Sequence, residues 1–85
     1  MQVLIPGALR SYTQASHVEA GGDTLDALFD ELDRRYPGLR FRVVDEQRQL
    51  RPNMRLFLNG LGVRDLGHPL QPGDFVAVVL ALSGG

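Results

Sequence analysis

The group with the clearest chemical potential in this 85-residue sequence stands at its end, where the apolar run Phe75-Val-Ala-Val-Val-Leu-Ala-Leu82 gives way to Ser83-Gly84-Gly85. Glycine is about 7% of average sequence, so a terminal pair arises by chance in about 0.5% of chains. A bare diglycine directly after an apolar strand therefore directs attention to the carboxylate of Gly85. Without Cβ atoms, Gly84 and Gly85 admit close backbone approach and unusual φ values, as a narrow channel requires. Leu82, Ser83, Gly84 and Gly85 together span at most about 13–14 Å when extended, enough to reach into a neighbouring protein. A carboxylate is a poor electrophile, and it must be given a leaving group before it can react.

Other chemistry is sparse. There is no Cys, which excludes disulfides, thiolate metal sites and a thiol nucleophile. It also leaves no internal thiol to attack an activated tail. All nine basic residues are Arg, so lysine amine chemistry is excluded as well. His17 and His68 are far apart, with no carboxylate motif nearby, and read as surface histidines rather than metal ligands. Asp65, His68 and Asp74 share one irregular stretch, but nothing orders them into nucleophile, base and oxyanion donor. Asp74 follows a Pro-Gly pair and fits turn chemistry.

The composition is that of an ordinary globular domain, 44% hydrophobic and 22% charged, with a formal net charge of −1. That charge gives no global attraction to nucleic acid or to an anionic membrane. The length allows one domain with a small core, burying roughly 60–65% of the unfolded surface. Pro6-Gly7 interrupts the only apolar N-terminal run, and no stretch approaches the ~18 apolar residues of a membrane span. The expected location is the cytoplasm.

The elements that must hold the tail are short. Residues 1–5 read as a first strand, 8–16 as a connection and 17–20 as a half-buried second strand, with Gly21-Gly22 turning the chain. Leu25, Leu28, Phe29 and Leu32 fall at i, i+3, i+4 and i+7 and predict one long helix over 23–36. Asp23 or Thr24 can cap it, and Pro37-Gly38 stops it. Asp30–Arg34 and Glu31–Arg35 have the spacing of favourable i,i+4 pairs. Alternation of Phe41 and Val43 with Arg40 and Arg42 predicts a third strand over 39–44. Residues 54–58 form a fourth strand ending at the Asn59-Gly60 turn. Residues 61–70 lack a period and read as irregular. Gln71-Pro72-Gly73-Asp74 fits a type II turn launching the last strand. The order ββαβββ implies an α+β fold, a mixed four- to five-stranded sheet with one long helix on one face. The first and last strands, the most apolar, should be central and adjacent. The domain should cover residues 1–81, with 82–85 a flexible tail.

Taken together, these pieces resemble the ubiquitin-like β-grasp fold, and more narrowly the MoaD/ThiS family of sulfur carrier proteins. The residues carrying the resemblance are Leu9-Arg10, Gly22-Asp23-Thr24-Leu25, Arg35-Tyr36-Pro37-Gly38-Leu39, Leu56-Phe57-Leu58-Asn59-Gly60, Leu70 with Pro72-Gly73-Asp74, and Leu82-Ser83-Gly84-Gly85. Ile5-Pro6, Leu9-Arg10, Thr13 and Ala20-Gly-Gly-Asp-Thr-Leu25 look like the carriers that feed cysteine biosynthesis. The small subunits of molybdopterin synthase remain the alternative.

The resemblance implies that Gly85 is adenylated and converted to a thiocarboxylate, with Gly84, Ser83 and Leu82 threaded into the activating enzyme. The chain would then be a protein cosubstrate rather than an enzyme, binding no cofactor itself while its partner uses ATP. The implied partners are an E1-like adenylating enzyme and a sulfur acceptor, either a pyridoxal-phosphate-dependent cysteine synthase or the large subunit of molybdopterin synthase. Strand alternation offers a docking face for them. If Leu56, Leu58, Val76, Val78 and Leu80 point at the helix, then Arg55, Phe57, Ala77 and Val79 point away from it. Arg40, Arg42 and Arg55 would rim that face and steer an acidic partner. Two other functions share the same features, a ubiquitin-like modifier joined to lysines through Gly85 and a plain interaction subunit with an incidental diglycine.

Overall fold

The apolar alternation and the turns resolve into a five-stranded mixed sheet of an α+β fold. The structure, a computed structural model, describes residues 1–81. Along the chain come β1 (Gln2–Leu4), a 3-10 turn (Gly7–Leu9), α1 (Arg10–Thr13), β2 (His17–Glu19), α2 (Leu25–Arg35), α3 (Leu39–Val43), β3 (Met54–Leu58), β4 (Leu61–Val63) and β5 (Phe75–Leu80). The sheet order is β2-β1-β5-β3-β4. The last strand is therefore central, parallel to β1 and antiparallel to β3. This is the expected place for the two most apolar strands, which have neighbours on both sides.

The core forms where the inner face of the sheet meets α2. Val3, Leu56, Val76 and Val78 come from the strands, and Leu25, Leu28, Phe29 and Leu32 from the helix, all of them buried. The i, i+3, i+4, i+7 stripe read from the sequence is thus the buried face of α2. Thr24 caps that helix, its Oγ1 accepting from the Ala27 N–H at 3.1 Å. Two further N–H groups of the first turn are satisfied by the loop between β4 and β5, Leu25 donating to the His68 carbonyl and Asp26 to that of Leu66. Gly22 lies so close to this turn that a Cβ there would sit 2.6 Å from the Leu28 nitrogen. Its role is close packing rather than the sharp change of direction expected from the Gly pair.

Four expectations fail. Residues 39–44 are not a strand, because Leu39–Val43 is the helix α3. Leu39 and Val43 are both about 1% exposed while Phe41 is 57% exposed, so burial follows i,i+4 rather than i,i+2. Asp33 helps start that helix, its Oδ1 accepting from the N–H groups of Gly38 and Arg40. Residues 61–63 are not irregular, since they form β4, the return arm of a hairpin through Asn59-Gly60. The positive φ angles at Asn59 and Gly60 match a tight hairpin turn that twists with the strands. The connection over 8–16 contains a 3-10 turn and α1. Finally, the i,i+4 ion pairs do not form. Arg34 pairs with Glu31, Arg35 donates to the Glu19 carbonyl, and Asp30 faces Arg40 and Arg48.

Candidate functional site

The C-terminal residues follow β5 in the chain, and both ends of that strand are held. At its start, Asn59 exchanges two hydrogen bonds with Phe75. The Asn59 N–H donates to the Phe75 carbonyl at 2.8 Å, and Asn59 Oδ1 accepts from the Phe75 N–H at 2.9 Å. Asp74 joins them, accepting from Asn59 Nδ2 and from the Gln71 N–H. The Asn59 bond and then the Gln71 bond hold the Asp74 carboxyl below the usual carboxylate range. Gly73 adopts φ of +90°, as the Pro-Gly turn requires. At the far end, Leu80 pairs with Met54, and the Ala81 N–H donates to the Asn53 carbonyl at 2.8 Å. The chain therefore leaves the sheet beside residues 51–55. Leu82, Ser83, Gly84 and Gly85, named for tail threading and attachment, lie outside the described residues.

The outward sheet face forms as strand alternation requires. In the antiparallel β3–β5 register Arg55 stands opposite Val79, and Phe57 opposite Ala77, so these four residues share one patch. Val79 is 37% exposed, Phe57 and Ala77 are half-buried and Arg55 is exposed. Three further members were not singled out in the sequence. Leu4 lies beside Ala77 through the parallel β1–β5 register. Phe75, 37% exposed, continues the outward row of β5. His17 pairs with Leu4 on β2 and holds its ring 6.4 Å from that of Phe75. The period-2 pattern of residues 2–4 and 75–79 carries this information, but reading it needs the parallel pairing of β1 with β5.

The arginine rim differs from expectation. Arg40 belongs to the helix layer, bridging Asp26 at 2.6 Å and Asp30 at 3.0 Å. Arg48 grips the same two carboxylates from the loop after α3. Burial raises the Asp26 pKa, but hydrogen bonds from Arg48 and Arg40 outweigh it and leave the group below its ordinary value. Arg42 lies at the end of the sheet, in a groove with Ala8, Phe41, Arg51, Asn53 and Leu80. Arg55 alone of the three stays on the outward face. It reaches back to the carbonyls of Pro52 and Met54. Among the described residues, no cluster of His, Asp or Glu is arranged to hold a metal ion, and no helix is long and apolar enough to cross a membrane.

A small sheet whose central last strand delivers a diglycine is the arrangement to set against known proteins. The sequence model of the ThiS family matches residues 3–85. This chain belongs to the ThiS family. That match includes the tail as well as the domain. The sulfur carrier protein CysO of Mycobacterium tuberculosis is 33% identical over 89 aligned residues, covering 98% of this chain and 96% of the relative. The crystal structure of the Amycolatopsis orientalis BexX/CysO complex contains a chain of the same fold, with a TM-score of 0.91 and 31% identity over 99% of this chain and 98% of that one. Mycobacterium tuberculosis CysO superposes with a TM-score of 0.89, at 31% identity over 95% of this chain and 98% of that one. The ThiS-family chain thus has the ubiquitin-like β-grasp fold, and within the family it is similar to the CysO sulfur carriers.

Proposed function

We propose that this chain is a sulfur carrier of cysteine biosynthesis, working in the cytoplasm as a cosubstrate of other enzymes. The observation that carries the proposal is that the family match runs through Gly85, directly after the central strand of the sheet. The Gly85 carboxylate attacks the α-phosphate of ATP in an E1-like partner, giving an acyl-adenylate and releasing pyrophosphate. A reduced sulfur donor then displaces AMP and leaves a thiocarboxylate. The sulfur is a soft nucleophile, delivered without free sulfide to a pyridoxal-phosphate-dependent cysteine synthase. Every catalytic group belongs to the partners, and ATP is bound by the activating enzyme. What this chain contributes is a rigid body that presents a thin tail. The similarity to CysO proteins supports this pathway over molybdopterin synthesis.

The outward patch around Phe57, Ala77, Val79 and Arg55 is the proposed docking face. It is apolar at its centre, lies on the strand that leads to the tail, and is left uncovered by the helices. Such a patch on a small domain is typical of an interaction site.

The direct test is intact mass of the protein incubated with ATP, a sulfur donor and its activating enzyme, followed by mass analysis of the C-terminal peptide. Replacement of one oxygen by sulfur at Gly85 is the expected result. Failure to form either adenylate or thiocarboxylate would overturn the proposal. Adducts to lysines of other proteins, without thiocarboxylate, would show a modifier instead.

A further inference from the structure

Arginines are distributed unevenly over this chain. In the helix layer Arg34 pairs with Glu31, and Arg40 and Arg48 with Asp26 and Asp30, while Arg35 and Arg64 each donate singly to a backbone carbonyl, of Glu19 and Leu50. Where β5 ends, two grooves flank Leu80. One is lined by Leu4, Pro6, Ala8, Arg10 and Val79, the other by Ala8, Phe41, Arg42, Arg51 and Asn53, and among the described residues no carboxylate lines either. Arg55 stands beside them, opposite Val79. Among the described residues Arg10, Arg42, Arg51 and Arg55 make no ion pair. The chain as a whole carries a net charge of −1, so this collar is a local positive field on a nearly neutral protein.

Three of the four guanidinium groups are held in place by backbone carbonyls. Arg10 Nε donates to the Ile5 carbonyl at 3.2 Å, Arg51 Nε to that of Phe41 at 2.7 Å, and Arg55 Nη1 to those of Pro52 and Met54. Arg51 is also stacked over the Phe41 ring, 4.5 Å from its centroid. Each bond uses one edge of the guanidinium and leaves further N–H groups free. A fixed, partly satisfied fork loses less entropy on meeting a carboxylate than a free one. Two carboxylates of the domain are tied to backbone and amide groups away from the collar. Asp33 caps α3, and Asp74 is tied to Asn59 and Gln71 at the start of β5.

We infer that the arginine collar of Arg10, Arg42, Arg51 and Arg55 docks on a ring of carboxylates around the mouth of the partner channel that receives the tail. This rests on the carrier reading above. The occupant is an acidic protein surface rather than nucleic acid. The collar is continuous through Val79 with the apolar docking patch, and it offers no row of exposed aromatic rings for bases to stack on. Opposite charges around the entrance steer the encounter and fix its register, while the apolar patch supplies most of the contact area.

Two measurements test this, one independent of the carrier reading. Titration of the ¹⁵N-labelled chain with a blocked hexaglutamate peptide at low salt should shift amide signals of residues 8–10, 41–43, 51–55 and 80–81. Shifts spread equally over Arg34, Arg35 and Arg64, or tighter binding of single-stranded RNA than of the peptide, would overturn the assignment. In the second measurement, the activating enzyme's ATP–pyrophosphate exchange is followed against concentration of the chain. The triple variant Arg10→Gln, Arg42→Gln, Arg55→Gln should lower kcat/KM about tenfold at low salt, and less as salt screens the field. The control Arg34→Gln, Arg64→Gln should match wild type. Equal rates for triple variant and wild type, with exchange intact, would overturn the collar's role. Absence of exchange with wild type, alongside peptide shifts confined to the collar, would overturn the carrier reading and leave the acidic-partner surface standing.

Discussion

Val79→Asp separates the proposed docking role of the outward face from its structural role. Val79 is 37% exposed. Complete burial of a Val side chain is worth about 1.5–3 kcal/mol, so covering the exposed fraction gives about 0.6–1.1 kcal/mol. Replacing it with a carboxylate removes that gain and sets a polar group against the partner, costing about 1–3 kcal/mol more. The sum, about 2–4 kcal/mol, is an affinity loss of about 30- to 700-fold. The fold should tolerate the change better. The new carboxylate lies opposite Arg55 on β3, and such a cross-strand pair returns about 0.2–1 kcal/mol. Net destabilisation of about 1 kcal/mol would lower Tm by about 4–8 °C. Val79→Thr keeps shape and charge and should lose only the apolar part, about three- to sixfold. The control is Leu61→Asp. Leu61 is 73% exposed, but it lies on the edge strand β4, away from Val79. The assay is the Kd of each variant for the activating enzyme by calorimetry, with thermal melts alongside. A Val79→Asp protein that binds within threefold of wild type, or a Leu61→Asp protein that loses as much, would refute the placement of the docking face.

Two other predictions concern the scaffold. Gly22→Ala should destabilise by about 1–3 kcal/mol, because the new methyl meets backbone rather than a movable side chain. Gly21→Ala, with open space around it, should melt at or slightly above the wild-type temperature. The Asp26 carboxyl has a folded pKa below its unfolded value, so its contribution is complete above the unfolded value of about 3.9. That contribution is lost as pH falls through the lower folded value. Asp26→Asn should therefore lower stability at neutral pH and flatten its decline in acid, as measured by urea melts across the acidic range. An unchanged acid profile would show that the Arg40 and Arg48 bridges do not hold α3 and its loop to α2.

What was legible in the sequence had local causes. The buried stripe of α2, its Thr24 cap, the turns at Asn59-Gly60 and Gln71–Asp74, and the apolar identity of β1 and β5 each follow from spacing or backbone preference within a few residues. So did the shared face of Arg55, Phe57, Ala77 and Val79, because side chains alternate along any strand and the register needed only β3 beside β5. The diglycine that carries the functional reading is visible in the sequence alone.

Tertiary structure decided the rest. Leu39-Arg-Phe-Arg-Val43 fits either a strand or one turn of helix, and a window that short has no period of its own. The helix wins because Asp33 caps it, Asp26 and Asp30 hold Arg40, and the core receives Leu39 and Val43 together. Those partners lie up to 14 residues away. The β4 strand has only Leu61-Gly62-Val63 to declare it, and it exists because β3 offers a free edge for pairing. The arginines show the same division. Their number and the absence of lysine are written in the sequence. Which of them are neutralised and which gather where β5 ends depends on where the fold carried each side chain, since charges interact through space and not along the chain.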